Sequence, residues 1–137
     1  MKQVVCALIV WQNKVLVTRR GPDSGHAGMW EFPGGKIQPE ETPHQALQRE
    51  VMEELGIGTD IVEPLRPVLH HYTERALTLQ PFLCRWIETE EIVLTEHSEF
   101  AWVEIPGGLP DGLLPADVAL LNDPYNRERL RKFGVYK

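Results

Sequence analysis

Apolar positions along this chain follow two periods, one that fits strands and one that fits helices. Residues 4–11, VVCALIVW, and 14–20, KVLVTRR, are rich in β-branched residues and flank Gln12-Asn13, which predicts two strands joined by a hairpin turn. Residues 21–28, GPDSGHAG, hold three glycines and a proline and predict a loop. MWEF after it is short and extended, and PGG breaks the chain sharply. At Thr42 the period becomes helical. Thr42 suits an N-cap, Pro43 the first helical position and Gln45 the far side of a capping box, and Gly56 ends the helix. Beyond it, IVEPLRPVLHHYT and RALTLQPFLCRWIE alternate as two strands expected to pair. EIVLTEHSE predicts a further strand running into an acidic loop, and FAWVEI a short strand. LPADVALL and DPYNRERLRKFG predict a short and a longer helix, the second starting at Asp123-Pro124 and stopping at Gly134. The order strands, helix, strands, helices, without repeats or linkers, predicts a single α+β domain over residues 1–137 rather than βαβ repetition.

The central helix has an unusual charge pattern. At about 100° per residue, with Glu50 at zero, Glu53 falls near about −60° and Glu54 near about +40°. Leu47, Val51 and Leu55 form the adjoining apolar stripe. Three carboxylates therefore share one side, at the edge of the buried face, where like charges three and four residues apart repel. Only Arg49 is close enough to offset them. Such a face is either simply solvated or holds a cation. A hard divalent ion such as Mg²⁺ takes oxygen ligands of this kind. Gly34 and Gly35, just upstream, let the backbone turn tightly, so that a main-chain carbonyl can also reach a metal.

Composition narrows the partners. The chain is 42% hydrophobic and 25% charged, the balance of an ordinary globular domain. A net charge of −6, with no basic patch or tail, argues against binding nucleic-acid polymer or a membrane surface. It leaves room for a small anionic substrate bridged by divalent cations. Lys2 and the apolar run after it could pass for a signal peptide. No small-residue cleavage site follows, and the run is far short of the ~20 residues of a membrane span, so it is read as a strand. Cys6 and Cys84 lack metal-ligand spacing and are expected to be buried reduced thiols of a cytoplasmic protein.

Taken together, Gly35, Glu41, Arg49-Glu50, Val51, Glu53-Glu54, Gly56 and Ile57 stand at fixed spacing over residues 35–57. Seven of these positions specify one residue, and chance agreement at a given start is on the order of one in 10⁸ to 10⁹, so the coincidence reading fails. The segment resembles the complete Nudix box, and the chain resembles the MutT-like Nudix hydrolases. TRR, WEFPGGKI, EHSE before FAWV, and LPAD extend the resemblance to nearly the whole chain.

The resemblance implies the Nudix fold, an α/β/α sandwich with a mixed sheet. It also implies Mg²⁺-dependent hydrolysis of nucleoside triphosphates to monophosphate and pyrophosphate, with Mn²⁺ able to substitute, in nucleotide-pool sanitation and DNA repair. By motif match Glu50, Glu53 and Glu54, with the Gly34 carbonyl, would hold metal. Glu50 or Glu53 would be the general base, Arg49 would orient the carboxylates, and Glu41 would anchor the loop–helix join. A later loop glutamate would complete the site, Glu99 or Glu96, with Glu99 preferred. Arg20 and Lys36 would meet substrate phosphate, and Phe32 would flank the base unless it is a core residue. Where oxidised-guanine members of the family carry an asparagine, this chain has Asp117, read as an ionised, acceptor-only carboxylate unless it merely caps a helix. That departure weakens strict 8-oxo-dGTP specificity and points toward cytosine nucleotides. The remaining readings are hydrolysis of another nucleoside diphosphate linked to X, and a Nudix-fold module that binds nucleotides without cleaving them. Either way the partner is a small nucleotide, and the protein a monomer or homodimer.

Overall fold

The computed structural model describes residues 2–72 and 75–137. Strands β1 (Lys2–Trp11) and β2 (Lys14–Arg20) form the expected hairpin. Gln12 and Asn13 take φ of 50° and 63°, the conformation of a tight turn whose twist matches its strands. β1 and β2 pair beside the turn, at Val10 and Trp11. Farther from the turn, residues 30–36 fill the space between them. There β3 (Trp30–Glu31) pairs with β2, and β4 (Gly34–Lys36) pairs with β1.

The other edge of β1 runs parallel to β7 (Ala76–Arg85), from Lys2 opposite Leu77 to Val10 opposite Arg85. β5 (Asp60–Pro64) and β6 (Val68–His71) pair antiparallel with β7, and β8 (His97–Val103) pairs antiparallel with β2. One parallel pair among antiparallel neighbours makes the sheet mixed.

Alternation along these strands feeds two cores. Val5, Ala7, Ile9, Leu16, Phe82 and Cys84 pack against Ala46, Leu47, Val51 and Leu55 of α1 (Pro43–Leu55). On the opposite face Cys6, Leu8, Val15, Val17, Leu79 and Leu83 pack against Leu120 and Leu121 of α2 (Pro115–Asn122) and Leu130 of α3 (Pro124–Lys132). β1 is apolar at nearly every position because it is covered on both faces. The sheet therefore has α1 on one side and α2 and α3 on the other. Cys6 and Cys84 are buried free thiols.

The start of α1 follows the sequence reading closely. Thr42 Oγ1 accepts from the Gln45 amide, the Gln45 side chain accepts from the Thr42 amide, and Gly56 closes the helix at φ 68°.

Elsewhere the chain departs from the pattern. IVEPLRPVLHHYT is two strands, because the chain breaks between Pro64 and Val68; its last residue, Thr73, lies outside the described residues. EIVLT is not a strand. It lies over the end of α1, where the Val93 amide donates to the Leu55 carbonyl and the Thr95 hydroxyl to the carbonyls of Glu53 and Glu54. HSE, expected in an acidic loop, instead joins FAWV in one strand, β8. PGG is not simply a break, since Gly34 and Gly35 are strand residues in register with Cys6 and Val5. Gly34 is required there, because a Cβ would run into the Val5 carbonyl and the Cys6 Cα.

Candidate active site

Packing α1 on the sheet brings its acidic side against β4. Arg49 organises the join. Its Nε and one terminal nitrogen donate to the two oxygens of Glu41, at 2.7 and 3.0 Å. The same nitrogen donates to the Lys36 carbonyl at 2.9 Å, and the other reaches Glu50 at 2.8 Å and Glu53 at 3.3 Å. A planar guanidinium can hold this many acceptors at once, which an ammonium cannot. The pairing holds the Glu41 carboxyl down to about 2. Arg49 thus connects the loop before α1, the end of β4 and two of the three clustered carboxylates.

The three glutamates differ in surroundings. Glu53 is 59% exposed at the side chain, whereas Glu50 is 17% exposed and lies under Gly35, where any Cβ would collide with its carboxylate. Glu54 accepts from the Gly34 amide at 3.3 Å. Burial, and then the charges of Glu31 and Glu50, push its carboxyl up to about 9. Among the described residues no three such groups are gathered into a ready cation cage. Two of the carboxylates are turned to Arg49 and the third to a backbone amide. The donor set nevertheless suits a hard divalent cation: oxygen ligands only, and a desolvated carboxylate whose strongest charged neighbours are also carboxylates.

This arrangement sets a sign for stability. Glu54 binds its proton more tightly folded than at the ordinary value of 4.5, so the folded state holds the extra proton between about pH 4.5 and 9. In EDTA the melting temperature is therefore expected to fall as pH rises through that window. Glu54→Gln should flatten the decline, and added Mg²⁺ should reduce it in the wild type. Parallel melting curves for wild type and Glu54→Gln would contradict this origin.

A cavity of about 1130 Å³ opens at β4. Its wall includes Val4 and Cys6 of β1, Leu77 and Leu79 of β7, Gly34, Gly35 and Lys36 of β4, and Ala116 and Asp117 of α2. Arg20 lines it too, donating to the Gly25 carbonyl at 3.1 Å and pairing with Glu31 at 3.2 Å. Phe32 forms part of the wall but is 2% exposed and belongs to the α2–α3 core.

Asp117 departs most from the sequence reading. It does not cap α2, whose N-cap is Leu114. It is 5% exposed and accepts the Phe32 amide on Oδ2 at 3.2 Å. Burial first, then the Glu31 charge, hold its carboxyl well above the usual range, which favours the neutral acid. That direction runs against the expectation of an acceptor-only carboxylate, since a neutral carboxyl carries an O–H donor beside an acceptor.

Glu99 is not brought to the acidic cluster. It lies opposite Arg19 in the β2–β8 register, and its carboxylate accepts from Arg19 at 2.9 Å. Glu96 is exposed and directly follows Thr95, which is tied to the last turn of α1. Lys36 is exposed at the cavity wall.

Sequence reasoning missed Glu31, Lys2, Tyr72 and Arg75, all of which line the cavity. Glu31 receives His97 Nε2 at 2.9 Å as well as Arg20, and its charge raises both Glu54 and Asp117. The one available signal was a lone acid between Trp30 and Phe32 in an apolar strand. The other three stand at strand ends, where no pattern marks them.

Comparison with known proteins agrees with this geometry. The NUDIX domain family matches residues 1–106. The chain is 35% identical over 124 residues to the CTP pyrophosphohydrolase of Escherichia coli strain K12, covering 88% of this chain and 89% of that one. It is 40% identical over 105 residues to the 8-oxo-dGTP diphosphatase of the same strain, covering 77% and 81%. The solution structure of the E. coli ORF135 protein superposes with a TM-score of 0.78 at 33% identity, over 96% of this chain and 91% of that one. With the Gly35–Ile57 spacing intact and the acidic cluster set beside a cavity, the chain belongs to the MutT-like Nudix hydrolases.

Proposed function

We propose that this protein is a divalent-metal-dependent nucleoside triphosphate pyrophosphohydrolase, releasing nucleoside monophosphate and pyrophosphate. Its preferred substrates present a hydrogen-bond donor beside an acceptor on the base, as oxidised guanine and cytosine nucleotides do. Its role would be to clear such nucleotides from the precursor pool. The observation that carries the base preference is Asp117, a buried carboxyl in the cavity wall with one oxygen turned to the Phe32 amide. Neutral, it offers O–H and C=O side by side. Cytosine answers with N3 and its exocyclic amine, and 8-oxoguanine with O6 and N7–H. The corresponding edge of ordinary guanine, N7 and O6, carries two acceptors. The two E. coli relatives are named for CTP and for 8-oxo-dGTP, which share this donor–acceptor edge.

Glu50, Glu53 and Glu54, with the Gly34 carbonyl, would hold Mg²⁺ or Mn²⁺. That ion would neutralise phosphate charge and acidify a water. Glu50 is the better general base of the two candidates. Arg49 fixes one of its oxygens at 2.8 Å and Gly35 lies over the carboxylate, while Glu53 is held less closely by Arg49, at 3.3 Å, and is more exposed. Arg49 acts as a positioning residue, anchored by Glu41. Glu96, following the Thr95 contact with α1, replaces Glu99 as the loop glutamate of the site. Arg20 and Lys36 contact phosphate or sugar from the cavity wall.

The test is a pyrophosphate-release panel with Mg²⁺ over ordinary and oxidised nucleoside triphosphates and nucleotide sugars. CTP and 8-oxo-dGTP should exceed dGTP. Faster cleavage of nucleotide sugars would favour a diphosphate-X hydrolase, and binding without cleavage would favour a sensing module. Raising the pH through the elevated Asp117 pKa should remove the donor and raise KM for the preferred bases. Asp117→Asn keeps a donor beside an acceptor, so it should preserve the ranking and lose that pH dependence. A changed ranking at neutral pH in Asp117→Asn would contradict the neutral-acid reading.

A further inference from the structure

His97 opens β8, where the register with β2 is broken. Arg19 lies opposite Glu99, but Arg20 lies opposite His97, so Ser98 is an extra residue on β8. In a regular strand His97 would share a face with Glu99, since side chains alternate. The bulge turns it instead to the face of Arg20. There Glu31 receives both groups: its Oε2 takes His97 Nε2 at 2.9 Å, and its Oε1 takes Arg20 at 3.2 Å. Exposure rises along the series, from 7% at the His97 side chain to 16% at Glu31 and 32% at Arg20, which lines the cavity. The other terminal nitrogen of Arg20 donates to the Gly25 carbonyl at 3.1 Å, so the guanidinium is held from two sides.

Stability alone does not account for this histidine. Facing a carboxylate, Nε2 carries the proton, which leaves Nδ1 an acceptor. Nδ1 is buried and, among the described residues, has no hydrogen-bond partner. A buried polar atom left unmet costs stability, and a leucine would fill such a place without that cost. What the imidazole supplies is the N–H held on Glu31 Oε2. That bond restrains the carboxylate and keeps its other oxygen on Arg20. A long side chain loses rotamer freedom when it binds a ligand, and one already held has less to lose. The charges of Glu31 and Arg20 also act, with opposite sign, on both Glu54 and Asp117, so an Arg20 that swings away disturbs each of them. Resting on the proposed contact of Arg20 with substrate phosphate or sugar, we propose that His97 is a positioning residue, which acts through Glu31 to hold Arg20 in place for the nucleotide.

The test compares His97→Leu and His97→Gln with wild type on CTP. In His97→Leu the KM should rise about tenfold, the cost of ordering one long side chain on binding, while kcat stays within about twofold. His97→Gln keeps an N–H on a side chain of similar reach and should restore most of the loss. The melting temperature of His97→Leu should not fall. An unfolded variant, or a lower melting temperature with an unchanged KM, would make His97 a brace of the fold and overturn the proposal. A double-mutant cycle locates the action: in an Arg20→Gln background His97→Leu should change KM by less than about twofold, and a rise of about tenfold in both backgrounds would overturn the route through Arg20. An unchanged KM in Arg20→Gln alone would remove Arg20 from substrate binding, and the proposal with it. One readout needs no nucleotide. The Arg20 guanidinium resonances in NMR spectra, assigned by their loss in Arg20→Gln, should be resolved in wild type, averaged in His97→Leu and restored in His97→Gln; resonances unchanged in His97→Leu would overturn the proposal. If wild type cleaves no triphosphate, the pyrophosphohydrolase reading fails on its own, and these resonances still decide whether His97 positions Arg20.

Discussion

Glutamine in place of Glu50 is expected to lower pyrophosphate release at least about a thousandfold while leaving a folded protein. General base catalysis contributes roughly 10²–10⁴, and an amide cannot take the proton. The same change weakens one of the oxygen donors of the acidic cluster, which adds to the loss. The fold should survive, because Arg49 keeps both contacts to Glu41 and the one to the Lys36 carbonyl. Turnover and a melting curve decide the matter together. A variant that melts like wild type and still works within tenfold of it would remove Glu50 from the chemistry. Glu53→Gln, at a more exposed position, should also abolish Mg²⁺-dependent turnover without unfolding the protein.

The second large effect separates two adjacent glycines. Gly35→Ala puts a methyl group against the Glu50 carboxylate, so that carboxylate must move. A shift of about 1 Å at a catalytic group can cost about a hundredfold in rate, and that is the loss expected, with the melting temperature little changed. Gly34→Ala puts the same methyl group against the backbone of β1, at the Val5 carbonyl and the Cys6 Cα, which cannot swing aside. It is expected to fail through loss of stability. Reversed outcomes, an unfolded Gly35→Ala and a stable but inactive Gly34→Ala, would contradict the placement of β4 between β1 and α1.

How much of this was legible in the sequence depended on whether a signal was local. The hairpin at Gln12-Asn13, the capping box at Thr42 and the spacing of the α1 glutamates are short-range patterns, and the structure carries all of them. The break between β5 and β6, and the passage of residues 91–95 over the end of α1, depend on distant partners. A sequence window does not contain those partners. The same holds inside the site. In the sequence Asp117 reads as an ionised acid, and only its burial, followed by the charge of Glu31, raises its pKa. Glu99 looks like a loop acid until β8 pairs it with Arg19. Glu31 gave almost no sign of itself, yet its charge acts on both Glu54 and Asp117.

The most direct measurement of the central claim is product identity from CTP and 8-oxo-dGTP in Mg²⁺, resolved by ion-exchange chromatography with an EDTA control. Nucleoside monophosphate and pyrophosphate should form in equal amounts and cease in EDTA. Diphosphate with orthophosphate, or the same rate without divalent ion, would contradict the proposal that the acidic helix face holds metal for pyrophosphate release.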